Sequence, residues 1–240
     1  MRLLVVNVNT TASMTETIAA TARAAALPGT EVVGLTPPFG AVSVEGSYES
    51  YLAAVAVQEA VRTYPEPYDA VIQAGYGEHG REGLQEIADG PVVDITEAAA
   101  ATAQFLGHRY SVVTTLDRTV PLIEDRLLLA GLSQRCASVR ASGLAVLELE
   151  SDPERAVEAI AEQAERAVRD DHAEVICLGC GGMAGLDEAV AARTGAPVVD
   201  GVAAAVTIAE GLVRLGLQTS RVRTYARPRP KPFVGWPPGR

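Results

Sequence analysis

The sequence has little of several residue types, and each shortage argues against a class of protein. Three cysteines among 240 residues cannot form an even disulfide framework, so we expect a reducing, cytoplasmic setting. Aromatic residues make up 5% of the chain, and Ala, Val and Leu supply most of its 48% hydrophobic content, a balance typical of helices packed on a parallel sheet. Acidic residues outnumber basic ones by 30 to 20, and the net charge of −10 argues against nucleic acid and anionic membranes as partners.

Long apolar runs and several well-known site motifs are also missing. No run approaches the roughly 18 to 20 residues of a membrane span. Residues 1–7 carry one basic residue and read as a first strand, not as a signal peptide. The chain contains no Walker loop and no Gly-x-Ser-x-Gly elbow. We therefore expect neither a membrane partner nor a nucleotide site.

Short apolar runs alternate with helical patterns along the whole chain. Strands or extended segments are predicted over residues 3–8, 31–35, 69–74, 110–114, 139–149 and 175–178. Helices are predicted from a Ser13/Glu16 capping box to about 26, over 47–62, to about 88, to 106, over 116–130, from 153, and to about 215. Such alternation predicts an α/β fold with mostly parallel sheets.

The chain also repeats itself. Residues 69–107 contain a strand, a glycine turn, a short helix, a Pro-Val-Val-Asp block and an Ala-rich helix, and residues 174–216 contain the same series. Gly75 and Cys180 hold equivalent places in the two series. We therefore expect two similar lobes that face each other across a ligand cleft, at the carboxyl ends of their strands. Lobe one is predicted as 1–100 plus 205–240, and lobe two as 101–204.

Cys180 is the leading candidate for chemistry. The apolar run over 175–178 ends in a turn where glycines, including Gly181 and Gly182, surround this thiol. At a helix N-terminus, free N–H groups and the helix dipole would favour its thiolate. A buried structural thiol is the alternative, and the flanking glycines argue against it. Cys177 reads as strand core, and the single Cys-x-x-Cys pair without a second one predicts no metal site.

Polar residues at other strand ends are further candidates. Asn9 and Thr10 follow the first strand, and Thr114 and Thr115 end another, so they could hydrogen-bond a carboxylate, amide or imide. A turn with a helix cap explains Asn9 and Thr10 equally well. His79, on the glycine turn after residue 74, is either a proton donor or base, or an exposed loop histidine.

Taken in order, several segments resemble the aspartate/glutamate/hydantoin racemase superfamily and its hydantoin racemase branch. The segments are Asn7-Val8-Asn9-Thr10, Ser43-Val44-Glu45-Gly46, residues 69–80, Ser111-Val112-Val113-Thr114-Thr115, Ser138-Val139-Arg140, Leu178-Gly179-Cys180-Gly181-Gly182-Met183, Pro197-Val198-Val199-Asp200 and Tyr225-Ala226-Arg227-Pro228-Arg229-Pro230-Lys231. The series covers nearly the whole chain. It implies two Rossmann-like lobes with the active site between them, no cofactor, a small-molecule substrate and a homo-oligomer.

The resemblance also implies roles for particular residues. Racemases of this superfamily use two cysteines, one on each face of the stereocentre, so that one thiolate takes the proton and the opposite thiol returns one. Cys180 matches the second cysteine. The implied substrate-binding set is Asn9, Thr10, Gly75, Tyr76, Thr114, Thr115, Gly181 and Gly182.

The first cysteine of the pattern is absent. Where the family reads Ala-Cys-Phe-Gly-Asp-Pro-Gly, this chain reads Ala-Gly-Tyr-Gly-Glu-His-Gly over residues 74–80, and Val8 replaces the proline of Asn-Pro-Asn-Thr. Gly75 cannot exchange a proton, so a Gly75→Cys change is expected to create or raise racemase activity.

Three hypotheses follow from this absence. The favoured one is a racemase or isomerase acting at a carbon next to a carbonyl of a hydantoin-like or amino-acid-derived molecule, in which His79, Tyr76 or water supplies the second proton. The second is a single-cysteine decarboxylase that resembles the arylmalonate decarboxylases. The third is a binding protein that has kept the cleft and lost catalysis.

Overall fold

The computed structural model describes residues 1–234, which form two four-stranded parallel sheets. The sheet of lobe one has the order β2-β1-β3-β4, with β1 Arg2–Asn7, β2 Glu31–Leu35, β3 Ala70–Ala74 and β4 Val92–Asp94. The sheet of lobe two has the order β6-β5-β7-β8, with β5 Tyr110–Thr114, β6 Cys136–Ala141, β7 Val175–Leu178 and β8 Val198–Val199. The predicted α/β fold of two similar parallel-sheet lobes is confirmed.

Helices cover both sheets. They are α1 Ala12–Ala25, α2 Ser47–Arg62, α3 Arg81–Ile87, α4 Ile95–Leu106, α5 Val120–Leu129, α6 Glu148–Ser151, α7 Pro153–Asp170, α8 Asp187–Thr194 and α9 Gly201–Arg214. Short 3₁₀ turns occupy Asp117–Thr119, Ser133–Arg135, Gly181–Met183 and Arg223–Tyr225. Within residues 1–234, the helices are too short or too polar to cross a bilayer.

The repeated Pro-Val-Val-Asp block has the same function in each lobe. Its valines form the edge strand, and its aspartate caps the next helix. Asp94 Oδ1 accepts hydrogen bonds from the backbone N–H groups of Thr96 and Glu97, and Asp200 Oδ1 accepts them from Val202 and Ala203. Aspartate at this position satisfies N–H groups that the first helical turn leaves free. A strand can therefore pass directly into a helix at the rim of each sheet.

The two capped helices connect the lobes. α4 and α9 pack on each other, and each contacts the other lobe's sheet, α4 through β7 and α9 through β3. Small side chains such as Ala99, Ala103, Ala205 and Ala209 are fully buried there, and they belong to one apolar cluster that includes strands of both sheets. The predicted boundaries, 100/101 and 204/205, fall inside these two helices.

Two local predictions are wrong. α1 begins after Thr11 without a side-chain cap, because Ser13 Oγ instead donates to Glu150 Oε2 at 3.0 Å and Glu16 pairs with Arg23. The extended segment predicted over 139–149 ends as a strand at Ala141. Gly143 then takes a φ of +83°, a left-handed conformation that breaks a strand.

The C-terminal segment packs on lobe one as far as the structure describes it. Arg221 donates to the carbonyl oxygens of Gln85 and Ala88, and Arg227 pairs with Asp89. Guanidinium groups therefore satisfy carbonyls at the end of α3, where they are otherwise free. The rest of the predicted extended tail, residues 235–240, lies outside the described residues.

Candidate active site

A small cavity lies between the sheets, at the carboxyl ends of β1, β3, β5 and β7. Its volume is about 40 Å³, which gives room for roughly three water molecules. Val44 from the loop over residues 36–46 and Val146 from the loop over 142–147 lie across its mouth. Glu45 Oε1 accepts a hydrogen bond from Val146 N at 3.1 Å and ties the two loops together.

The cavity brings together nearly all of the predicted site residues. Those lining it are Asn9, Gly75, Tyr76, His79, Thr114, Thr115, Cys180, Gly181 and Gly182. Thr10 lies apart from this set, because its hydroxyl and backbone N–H both bind the carbonyl oxygen of Ala41 and so hold the 36–46 loop.

Cys180 lies at the end of β7, in extended backbone just before the 3₁₀ turn Gly181–Met183. Gly182 N donates to its Sγ at 3.4 Å. At Gly181, a Cβ would come within 2.7 Å of the Ala74 carbonyl oxygen, so this glycine permits the turn of lobe two to touch the end of β3 in lobe one. The paired turns of the two repeats therefore meet, as the duplication predicts.

The resting state of Cys180 differs from the sequence expectation. Burial raises the pKa of its thiol to about 11, and the hydrogen bonds from backbone N–H groups offset only part of this effect. The expected stabilisation of a thiolate is therefore wrong. The helix that follows is a single 3₁₀ turn, too short to carry the dipole of a full helix, and the thiol is protonated at neutral pH.

The space beside Gly75 is already filled. A Cβ on this residue would come within 2.3 Å of Val8 Cγ1 and 2.5 Å of His79 Cδ2. Three of the departures from the family pattern, Val8, Gly75 and His79, therefore lie together, with valine and imidazole occupying the room that a first cysteine needs. The structure changes the prediction for Gly75→Cys: we now expect the single change to lower activity, since the added side chain would displace both neighbours.

His79 is a buried, neutral base. Its side chain is 5% exposed, so the exposed-loop alternative is excluded. Nδ1 lies 3.1 Å from Ser50 Oγ, and Nε2 lies 3.3 Å from the Tyr76 carbonyl oxygen. Burial lowers the pKa of the imidazole to about 4, so at neutral pH one ring nitrogen carries a lone pair.

Tyr76 is less suited to proton abstraction. Its hydroxyl lies beside Cys177 and makes no well-aligned hydrogen bond within residues 1–234. Burial raises the pKa of this phenol well above its usual value, so it stays protonated. Cys177 is completely buried in β7, as predicted for strand core.

Amide and hydroxyl groups line the rest of the cavity. Asn7 organises the turn after β1 by donating to Asn9 Oδ1 at 2.9 Å and to Thr15 Oγ1 at 3.1 Å. Asn9 Nδ2 in turn faces Met14 Sδ at 3.1 Å, a weak acceptor that a ligand carbonyl could replace. Thr114 Oγ1 donates to Gly179 O at 3.0 Å and joins β5 to β7, whereas no hydrogen bond within residues 1–234 occupies the Thr115 hydroxyl.

A buried arginine from lobe two supports the turn that carries His79. Arg126 is 2% exposed. Its Nη1 donates to Glu78 Oε2 at 2.8 Å and to Glu82 Oε1 at 2.7 Å, and its Nη2 pairs with Glu97. We call Arg126 and these three glutamates the Arg126 cluster. Nothing in the local sequence signals it, because the partners lie on three separate segments.

Apolar residues complete the cavity, and most of them escaped prediction. Met14 and Ile18 come from α1, and Val44 and Val146 come from the two loops. Val44 belongs to a segment that carries the family resemblance. Val146 has no local signal, because its position depends on how the chain turns after β6.

Comparisons with known proteins agree with one another. The family model described as "Asp/Glu/Hydantoin racemase" matches residues 3–209. A hydantoin racemase of Pseudomonas sp. (strain NS671) is 39% identical over 98% of this chain and 95% of its own length. The crystal structure of an allantoin racemase from Pseudomonas fluorescens is 77% identical over 98% of this chain and all of that one, with a TM-score of 0.97. An allantoin racemase from Klebsiella pneumoniae is 42% identical over 98% and 97% of the two chains, with a TM-score of 0.95.

Proposed function

The chain belongs to the Asp/Glu/hydantoin racemase family and is an isomerase, a racemase, and we propose that it inverts the ring carbon of a 5-substituted hydantoin. Allantoin, which is 5-ureidohydantoin, is the first substrate to test. The 77% identity to an allantoin racemase supports this choice.

One observation carries the mechanism: the Cys180 thiol and the His79 imidazole line the same cavity in complementary protonation states. The thiol holds its proton, because burial raises the pKa of Cys180 to about 11. The imidazole is unprotonated at neutral pH, because burial lowers the pKa of His79 to about 4, and substrate must raise this pKa for the ring to act as the base. The pair therefore supplies one acid and one base without a second cysteine.

The proton transfers balance across one turnover. His79 removes the proton from the ring carbon, and the electron pair is delocalised into the adjacent carbonyl as an enolate. The Cys180 thiol then protonates the opposite face, which leaves an imidazolium and a thiolate. The opposite enantiomer uses this second state, and proton exchange with solvent resets it. Asn9 Nδ2 and the Thr115 hydroxyl stabilise the ring carbonyls and the developing enolate.

The same geometry weighs against the other two hypotheses. The decarboxylase hypothesis depends on Gly75 leaving one face of the cavity without a proton-transfer group, and His79 occupies the space beside that residue. A binding protein has no need for a thiol and a neutral imidazole in one cavity. Racemisation uses both groups.

Hydrogen exchange in D₂O on each enantiomer of allantoin tests the proposal. The wild type should introduce deuterium at the ring carbon and abolish optical activity, measured by NMR and polarimetry against an enzyme-free blank. Cys180→Ser should reduce racemisation at least 100-fold yet still exchange the enantiomer whose proton faces His79. His79→Asn should show the mirror-image pattern.

Cys136→Ser is the matched control, since this cysteine lies outside the cavity and its replacement should leave both exchange rates intact. Full racemisation by Cys180→Ser would contradict the proposal. So would release of carbon dioxide from disubstituted malonates without exchange on any hydantoin.

A further inference from the structure

An exposed arginine of lobe two lies near the mouth of the cavity. Arg118 belongs to the 3₁₀ turn Asp117–Thr119, between β5 and α5, and its neighbour Thr119 lines the cavity. The hydroxyl and the backbone N–H of Thr119 both donate to the Leu116 carbonyl oxygen, at 2.7 Å and 3.0 Å, and fix this turn. The backbone of Arg118 is therefore held beside the cavity, while its side chain extends towards lobe one.

The guanidinium of Arg118 packs on Gly46, at the start of α2 in lobe one. A Cβ on Gly46 would come within 2.6 Å of Arg118 Nη2 and 3.1 Å of its Cζ. The φ of Gly46 is −171°, extended backbone that any residue adopts, so the backbone conformation does not require glycine here. The glycine instead leaves room for the guanidinium. Because Gly46 ends the loop whose Val44 lies across the mouth, the guanidinium spans the cleft beside that mouth.

The contact does little for stability. Within residues 1–234, Arg118 makes no hydrogen bond and no ion pair. Arg126, which also joins the two lobes, has three glutamates as partners. A cation beside the first turn of α2 is at the end of the helix where the dipole disfavours positive charge. The N–H donors of Arg118 are therefore available to a ligand.

The size of the cavity directs part of a substrate towards Arg118. A volume of about 40 Å³, room for roughly three water molecules, is smaller than a hydantoin that carries a substituent. Proton transfer places the ring carbon beside Cys180, at the inner end of the cavity. The substituent on that carbon must then extend towards the mouth, between the loop over residues 36–46 and the loop over 142–147.

We propose that Arg118 binds this substituent and selects hydantoins whose substituent carries a hydrogen-bond acceptor, such as the ureido carbonyl of allantoin or a carboxylate. The inference rests on the proposed function and names the substrate class of the same cavity. A planar guanidinium can direct two N–H groups at one carbonyl or carboxylate. An alkyl substituent offers no acceptor. Arg118 therefore acts in specificity and takes no part in proton transfer.

A ratio of specificity constants isolates this role. Arg118→Met keeps an apolar stem and removes the donors. We expect the ratio of kcat/KM for allantoin to that for 5-methylhydantoin to fall about tenfold, and the ratio for 5-(2-carboxyethyl)hydantoin to fall further, because hydrogen bonds to charged groups are stronger. The loss should lie in KM, since the contact is the same in the ground state and the transition state. Polarimetry measures each rate.

Two further variants separate the contact from net charge. Arg169→Met removes the same charge from the exposed end of α7, where Arg169 pairs with Asp170, and should leave both ratios at their wild-type values. Gly46→Ala keeps the charge but displaces the guanidinium, so it should lower both ratios by less than Arg118→Met. Circular dichroism confirms that each variant is folded.

The outcomes separate the two proposals. Unchanged ratios in Arg118→Met, whether the individual rates stay constant or fall together, overturn the specificity role and leave the proposed racemisation intact. An equal fall of the ratios in Arg169→Met also overturns it, because net charge alone would then explain the effect. If the wild type racemises none of these hydantoins, the proposed function fails, and the role of Arg118 fails with it.

Discussion

At the scale of single residues, burial determines the protonation of the titratable side chains that line the cavity. Burial keeps the proton on Cys180 and keeps His79 neutral, which are the starting states of the proposed proton transfer. The glycines around Cys180 do not reveal its protonation, because the same sequence motif is compatible with an exposed thiolate. The pKa of the thiol depends on how many neighbouring atoms exclude water.

Alkylation measures the protonation of Cys180 directly. With a pKa of about 11, roughly one thiol in 10⁴ is ionised at pH 7. Iodoacetamide should therefore modify Cys180 slowly, with a rate that rises about tenfold per pH unit up to pH 10. Mass spectrometry of the labelled peptide gives the rate, and allantoin should protect the thiol. Fast labelling at pH 7 would show that the thiolate predominates.

The packing around Gly75 predicts a non-additive series of variants. Gly75→Cys alone should lower both activity and stability, with an overpacking cost of about 1 to 3 kcal/mol. The triple change Val8→Pro, Gly75→Cys and His79→Pro restores the family pattern at these three positions and should recover the racemisation that the single variant loses, now through two thiols. Polarimetry and urea denaturation on all four combinations that contain Gly75→Cys test this. Higher activity in the single variant would mean that its side chain finds room elsewhere.

At the scale of elements, apolar spacing predicted most strands and helices closely. The exceptions have local physical causes. Ser13 and Glu16 bond to Glu150 and Arg23 instead of capping α1, and Gly143 ends β6 early. Local patterns describe what a segment can form by itself. A distant partner, Glu150, decided the first case, and the left-handed backbone of Gly143 decided the second.

The Arg126 cluster makes the packing of α5 against lobe one testable. Replacing Arg126 by Met leaves three carboxylates facing one another. We expect unfolding to become easier by about 2 to 3 kcal/mol, less than for a fully buried pair because the glutamates are partly exposed. Adding Glu78→Gln and Glu97→Gln should recover much of this loss. Urea denaturation at pH 7 measures it, and equal stability of Arg126→Met and the wild type would contradict the expectation.

At the scale of the whole molecule, the duplication within the sequence predicted the two lobes and the meeting of their turns. The strand ends and the family resemblance predicted half of the residues lining the cavity, because strand ends converge at one edge of a parallel sheet. They could not predict that Val8 and His79 fill the space beside Gly75. That contact depends on side-chain packing between β1 and the turn after β3, which no spacing of residues encodes.

The packing of α4 and α9 across the two lobes predicts that both lobes unfold in one cooperative transition. Each helix packs on the sheet of the other lobe, and one apolar cluster includes both sheets. The lobes should therefore melt together, with equal calorimetric and van't Hoff enthalpies. A second heat-absorption peak in a reversible scan would show that the lobes unfold separately.

The same packing determines how a ligand reaches the cavity. A hinge motion that widened the cleft between the lobes would separate α4 from β7 and α9 from β3. It would expose apolar surface at both contacts at once. We therefore expect the ligand to enter between the two loops over the mouth, which the hydrogen bond from Val146 N to Glu45 Oε1 holds together. Binding then requires only the movement of a few loop residues. We therefore expect the lobes to stay fixed, so that the proposed acid and base on their facing turns keep their separation while the substrate enters and leaves.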